Sequence, residues 1–193
     1  MEVTMETKNI MIVGVGGQGS LLASRILGAA AMESGYDVKV SEVHGMSQRG
    51  GSVVTYVRAG EKVYSPIIDL GEADFIVAFE KIEAARYAPY LKKGGVIIVN
   101  TQEIDPMPVI TGAAEYPTSA LDKLMADGIK VDALDALTPA TEAGSAKAAN
   151  IVLMGRLSRY MDIPTEHWIS AIKASVKPAF VEMNLLAFEK GRN

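Results

Sequence analysis

Six residues near the amino end, Gly14-Val15-Gly16-Gly17-Gln18-Gly19, fit the pattern G-x-G-x-x-G. An apolar run from Ile10 to Val15 leads into them, and Leu21 to Met32 follows with apolar residues at helical spacing, so the glycines join a strand to a helix. There, backbone N–H groups and the positive end of the helix can hold an anion. One glycine allows the turn, one lets a phosphate approach the main chain, and one lets helix and strand pack closely. Gly14, Gly16, Gly17 and Gly19 are therefore candidate binding residues, with the Gln18 amide beside them; Arg25, further along the helix, faces the ligand or solvent. The alternative is a tight turn that binds nothing.

A second loop, His44-Gly45-Met46-Ser47-Gln48-Arg49-Gly50-Gly51, gathers an imidazole, a hydroxyl, an amide and a guanidinium among three glycines. It follows a strand spanning Tyr36 to Val43, and the carboxyl edge of a parallel sheet is where open α/β folds bind ligands. Arg49 can clamp a carboxylate or phosphate through two N–H groups, His44 can donate or accept, and Ser47 and Gln48 add polar groups. The competing reading is a docking loop for a partner protein. Glu80 and Asn100 close two further strands, so both are expected at that edge as ligand contacts or as caps.

A dinucleotide site also calls for an acid ending the second strand, about 20 residues past the glycines. Glu42 qualifies by position, whereas Asp37 opens that strand; the glycine loop after Glu42 occupies the space of an adenine ribose and argues against NAD. His167 has no second histidine at ligand spacing, so no zinc site is expected. No catalytic nucleophile is nominated by spacing. Asn150, in an apolar helical stretch, reads as a hydrogen-bonded core amide.

The elements that must position these residues are those of an α/β fold. The first 43 residues form a strand, helix, strand unit, for which a parallel sheet and a right-handed crossover are the default. Ser52 to Val57 and Lys62 to Ser65 flank Arg58-Ala59-Gly60-Glu61 as a hairpin, which makes the sheet mixed. Ala73 to Phe79 and Gly95 to Asn100 read as buried strands around a helix from Lys81 to Leu91 that stops at Lys92, Lys93 and Gly94. Pro108 to Ile110 is a short strand, Ser119 to Asp127 a helix, and Ile129 to Leu134 a strand. Helices follow at Ser145 to Met161, Thr165 to Val176 with Thr165 as N-cap, and Ala179 to Lys190 with Gly191 as stop. The expectation is a single domain over residues 1–193, a three-layer α/β/α sandwich with a Rossmann-like start, a mixed and mainly parallel sheet, and a helical carboxyl end.

Composition narrows the chemistry further. The 193 residues contain no cysteine, so this polypeptide supplies no thiolate to an iron–sulfur cluster or zinc ion and has no thiol nucleophile. Nineteen lysines and arginines against 23 acids give a net charge of -4 without a basic run, which argues against nucleic-acid binding. The start carries acids where a secretory signal carries bases, and no window of about 18 apolar residues exists, so a cytoplasmic protein without a membrane span is expected.

The glycine turn, then Ser41-Glu42-Val43-His44-Gly45-Met46-Ser47-Gln48-Arg49-Gly50-Gly51-Ser52-Val53, then Tyr64-Ser65-Pro66, resemble the gamma-type module of 2-oxoacid:ferredoxin oxidoreductases, within that family most of all the beta subunits of its indolepyruvate branch. The likeness runs through Ala73-Asp74, Glu80, Arg86-Tyr87, Gly94-Gly95, Asn100 and Asn150 to Asn184, Phe188 and Gly191. It implies a two-subunit enzyme that decarboxylates arylpyruvates oxidatively to arylacetyl-CoA and passes electrons to ferredoxin. Thiamine diphosphate and the iron–sulfur clusters then belong to a large alpha subunit, in keeping with the absence of cysteine, and coenzyme A is the co-substrate. The resemblance assigns this module no catalytic residue. Two rival functions stay open: a structural module that binds no small molecule, and a free-standing NAD(P)-dependent dehydrogenase.

Overall fold

A computed structural model describes residues 6–44 and 51–193. Strands β1 (Lys8–Val15), β2 (Asp37–His44), β3 (Ser52–Gly60), β4 (Ala73–Ala78), β5 (Leu91–Asn100) and β6 (Lys130–Leu134) form one sheet in the order β2-β3-β1-β4-β5-β6. β1, β4, β5 and β6 pair in parallel, and β3 runs antiparallel to both of its neighbours.

The apolar runs are continuous because the central strands are covered on both faces. Ile10 and Ile12 of β1, with Phe75, Val77, Val96 and Ile98, face α1 (Ser20–Glu33), α5 (Leu137–Ala143), α6 (Ala149–Leu157), α7 (Thr165–Ser175) and α8 (Val181–Arg192). Met11, Val13, Ile76, Ala78, Ile97 and Val99 face α2 (Lys81–Tyr87) and α4 (Ala120–Ala126). The three-layer α/β/α sandwich with a helical carboxyl end is as expected.

Several expectations are corrected. The hairpin at 58–61 does not form: β3 continues through it to Gly60 with eight residues in register against each of β1 and β2. Two full-length ladders outweigh one short one, and Lys62 to Ser65 is instead part of a longer loop, in which the Ser65 and Ile67 carbonyls accept from the Arg58 guanidinium at 3.2 Å. β2 runs parallel to β1 as expected, with β3 between them. Pro108 to Ile110 is not a strand but part of a one-turn helix α3 (Met107–Ile110), with Pro108 in its first turn where a missing N–H costs nothing. Lys92, Lys93 and Gly94 do not stop a helix; they lie within β5, and α2 ends at Tyr87 before a short 3-10 turn.

At the carboxyl end α5 was not anticipated. Pro139 and its small residues hide it, and it starts where the Asp135 carboxylate accepts from the N–H groups of Leu137 and Thr138. The helix expected from Ser145 is a 3-10 turn followed by α6. Pro164 rather than Thr165 holds the N-cap position of α7. Gly191 is not a stop but lies inside α8, where a Cβ would come 1.9 Å from the Val152 carbonyl oxygen of α6. Gly155 makes the reciprocal contact, 2.1 Å from Phe188 O.

Candidate functional site

The glycine turn stands at the carboxyl edge of the sheet, between β1 and α1. Gly17 and Gly19 have φ of 102° and 87°, where residues with a Cβ are strained. Gly19 also abuts α6: a Cβ there would lie 2.5 Å from Asn150 Nδ2, which donates to Gly19 O at 3.1 Å. α1 begins with no side-chain cap and no acid in its first turn, so its leading N–H groups and positive dipole end are open to an anion.

The first half of the turn is filled from within. Gln18 folds back so that its Oε1 accepts from Val15 N at 2.7 Å, while its Nε2 donates to Phe79 O at 3.2 Å. That oxygen lies 2.7 Å from where a Cβ on Gly14 would be, so Gly14 makes room for Gln18. Gly16 N donates to Gly51 O at 2.9 Å, which ties the turn to the residue before β3. Gln18 N donates to Val15 O at 3.2 Å, so the N–H groups left for a ligand are those of Gly17 and of Gly19 into α1.

Asn100 and Glu80 reach the same edge as expected, but with engaged side chains. Asn100 Nδ2 donates to Phe79 O at 3.3 Å and its Oδ1 accepts from Ala136 N at 3.0 Å, tying together the segments that follow β4, β5 and β6. Glu80 is buried at the N-cap of α2, accepting from Glu83 N at 2.5 Å and from the Tyr116 hydroxyl at 3.0 Å. Burial pushes the Glu80 carboxyl above the usual carboxylate range and raises the Tyr116 phenol as well. Glu83, next to it, accepts from Ser52 and from Arg86 Nε.

Two clefts flank the turn. One of about 530 Å3 is lined by Gly17, Gln18 and Gly19 on one side and by Asn100, Gln102, Lys147 and Asn150 on the other. The other, about 330 Å3, lies toward β2 and is lined by Gly16, Ser20, Leu21, Glu42 and Val53. Of the residues named from sequence, the structure thus brings Gly17, Gln18, Gly19 and Asn100 together around the larger cleft, puts Gly16 on the smaller one, and leaves Gly14 and Glu80 off both. His44 ends β2 opposite Val53 at this edge; its side chain, and Ser47, Gln48 and Arg49, lie outside the described residues. Arg25 is exposed. Sequence reasoning missed Gln102 and Lys147, because Lys147 reaches the cleft from the 3-10 turn before α6, which carries no periodic signal. Asn150 is buried as expected, yet its Oδ1 has no hydrogen-bond partner among the described residues.

The insertion of β3 bears on the dinucleotide alternative. In that arrangement the acid ends a strand adjacent to β1, whereas here Glu42 is one strand further out, displaced by about 5 Å. Its neighbour is Thr55, whose Oγ1 lies 3.4 Å from Glu42 Oε2. Among the described residues no cluster of three metal-binding side chains occurs, and no helix is long and apolar enough to cross a membrane.

Residues 9–193 match the pyruvate ferredoxin/flavodoxin oxidoreductase family. The chain is 47% identical over 192 residues to indolepyruvate oxidoreductase subunit IorB of Thermococcus kodakarensis, covering 97% of this chain and 95% of that protein. Identity to IorB of Pyrococcus horikoshii is 45% with the same coverage. The 2-oxoglutarate synthase subunit KorC of Methanothermobacter thermautotrophicus stands at 33%, covering 96% of this chain and 93% of that protein. Among solved structures, the gamma subunit of a keto/oxoacid ferredoxin oxidoreductase from Geobacter sulfurreducens has a TM-score of 0.71 at 26% identity, covering 95% of each chain. A 2-oxoglutarate:ferredoxin oxidoreductase from Magnetococcus marinus, with 2-oxoglutarate, coenzyme A and succinyl-CoA bound, has the same fold at a TM-score of 0.75 and 21% identity, covering 97% of this chain and 30% of that one.

Proposed function

Given that this chain belongs to the pyruvate ferredoxin/flavodoxin oxidoreductase family and is a small subunit of a multi-subunit 2-oxoacid oxidoreductase, we propose that its enzyme decarboxylates indolepyruvate and related arylpyruvates oxidatively to arylacetyl-CoA, in the cytoplasm, with ferredoxin as electron acceptor. The observation that carries the substrate class is the gap in identity, 47% and 45% to indolepyruvate subunits against 33% to a 2-oxoglutarate subunit of matching length. The chain has no cysteine and, among the described residues, no group of metal-binding side chains. Its residues do not fit an iron–sulfur cluster, so the clusters, and thiamine diphosphate with them, are assigned to a large alpha subunit. The isolated chain is then inactive.

Coenzyme A fits better. The larger cleft joins the open N–H groups at the start of α1 to the Lys147 ammonium, and no carboxylate lines it. Gly17, Gly19 and Lys147 would hold a phosphate there, while coenzyme A supplies the thiol that takes up the acyl group. Leu21, Met107, Ile110 and Leu137 are exposed apolar side chains on segments that follow the carboxyl ends of β1, β5 and β6. They suit this edge, with the loop from His44 to Gly51, to dock on the large subunit.

A second reading, a purely structural module, draws on Gln18, which already satisfies the first N–H of the turn. Anaerobic co-expression with the large subunit separates the two. Co-purification of a brown complex that turns over indolepyruvate faster than pyruvate is the expected result, and a colourless chain without a partner overturns the subunit assignment. A complex whose KM for coenzyme A is unmoved by Lys147→Gln favours the structural module.

A further inference from the structure

We propose that the amino edge of the sheet, at the opposite end from the glycine turn, carries a binding site for hydrogen phosphate, formed by Lys93, Lys130 and Asp127 where β5 and β6 begin. A pocket of about 250 Å3 lies there between Lys92-Lys93-Gly94-Gly95 of β5 and the segment Asp127-Gly128-Ile129-Lys130 that leads from α4 into β6. Its volume falls short of the roughly 300 to 1,000 Å3 of pockets for cofactors and drug-sized ligands, and so suits a small ion.

The strand pairing makes this pocket. Ala73 pairs with Leu91 and Phe75 with Val96, so Lys92 to Gly95 stand against Asp74 alone and bulge outward. Gly95 permits the close approach behind the bulge, since a Cβ there would lie 2.9 Å from Asp74 O and 3.0 Å from Ala73 O. Gly94 at φ 83° and Gly128 at φ 80° turn the two segments, and a Cβ on either would meet no heavy atom within 4 Å. Both therefore border open space that an ion can enter.

The charges around that space are uncompensated. Lys92 is held by the buried Asp74 carboxylate, whose other oxygen accepts from Asn9 N at 2.7 Å. Lys93 has no ion pair among the described residues, and Lys130 has only the Tyr160 ring, its Nζ 5.4 Å from the ring centroid. Neither lysine is needed at the end of α4, where the Leu124 and Met125 carbonyls accept from Ile129 N and Gly128 N at 3.0 Å. Asp127 lines the same pocket and likewise has no ion pair among the described residues. Ammonium groups and a carboxylate that share a pocket without meeting are complementary to an anion that also bears a proton. The lysines take the charged oxygens, and Asp127 accepts from the P–OH group. Sulfate has the same shape and charge but no proton near neutral pH, so it would set a bare oxygen against the carboxylate.

The test is titration of the full-length chain with sodium phosphate and with sodium sulfate at neutral pH and equal ionic strength, followed by amide NMR and by calorimetry. Phosphate is expected to shift the amide signals of Lys93, Gly94 and Gly128 together along one saturating curve, and sulfate to leave them in place. Lys93→Gln should weaken phosphate binding about tenfold, and Asp127→Asn should let sulfate bind as well as phosphate does. Both side chains are exposed, so neither change puts folding at stake. Equal shifts with the two anions in the wild type, phosphate shifts confined to the turn at Gly17 and Gly19, an affinity unmoved by Lys93→Gln, or no gain of sulfate binding in Asp127→Asn would each overturn the inference.

Discussion

At the turn before α1, Gly17 has no heavy atom within 4 Å of the place its Cβ would take, whereas at the crossing of α6 and α8 a Cβ on Gly155 or Gly191 would fall inside a backbone carbonyl of the other helix. The same residue type serves opposite needs. In the turn, glycine supplies a backbone angle that leaves N–H groups facing outward; in the crossing it supplies closeness, letting two main chains touch where side chains normally stand. On the proposed function, binding rests on the first region and stability on the second, and substitution can separate the two.

The sharpest break lies in the crossing. Gly191→Ala must push α8 away from α6 along a buried seam, and a loss of about 3 kcal/mol or more is expected in urea unfolding. Gly19→Ala combines a φ of 87° with crowding against the Asn150 amide, so about 2 kcal/mol is expected, together with a raised KM for coenzyme A. Gly17→Ala has only its φ of 102° to overcome, for about 1 kcal/mol. Its effect on KM should therefore exceed what its stability loss suggests, and an unaltered KM would erase the contrast between the regions.

The smallest effect sits at the same edge, on the far side of β4. Burial raises the Glu80 carboxyl above its unfolded value, so the folded state holds its proton more tightly. Stability from this group is fully present below the unfolded value, about pH 4, and is lost as pH rises through the folded value. Glu80→Gln removes that dependence. The stability of the variant relative to wild type should rise between about pH 4 and pH 7 in denaturant titrations, and a flat difference would mean that Glu80 titrates as in the unfolded chain.

What the sequence disclosed follows from where single segments carried their own signal. Ile10 to Val13 and Ile97 to Val99 are apolar without alternation, which marks strands buried on both faces, and the glycine turn between strand and helix has few other interpretations. β3 was misread because Arg58-Ala59-Gly60-Glu61 looks like a turn locally, and the two strands that keep it extended come from elsewhere in the chain. At the site, the turn and the edge positions of Glu80 and Asn100 were legible as places. Their engagement was not, since Gln18 folding onto Val15 and Asn100 reaching Ala136 depend on which loops meet in space. Lys147 was invisible for the same reason: it stands outside a regular helix, and only the packing of the segment before α6 brings it to the cleft.

The strand that runs against the rest of the sheet also divides the molecule into parts of unequal permanence. β2 and β3 are successive in sequence and pair along their whole lengths, while β1, β4, β5 and β6 form a parallel block that needs neither to complete its own ladder. The pair is held to that block through the β1–β3 seam, the helix α1 above it and the bond from Ser52 to Glu83 of α2. It is therefore a unit that can loosen as a whole, and its amide hydrogens should exchange with solvent earlier than those of β4 and β5. Because residues 45–51 join β2 to β3 and Gly51 O accepts from Gly16 N, a pull on that connection reaches the ribbon and the glycine turn together.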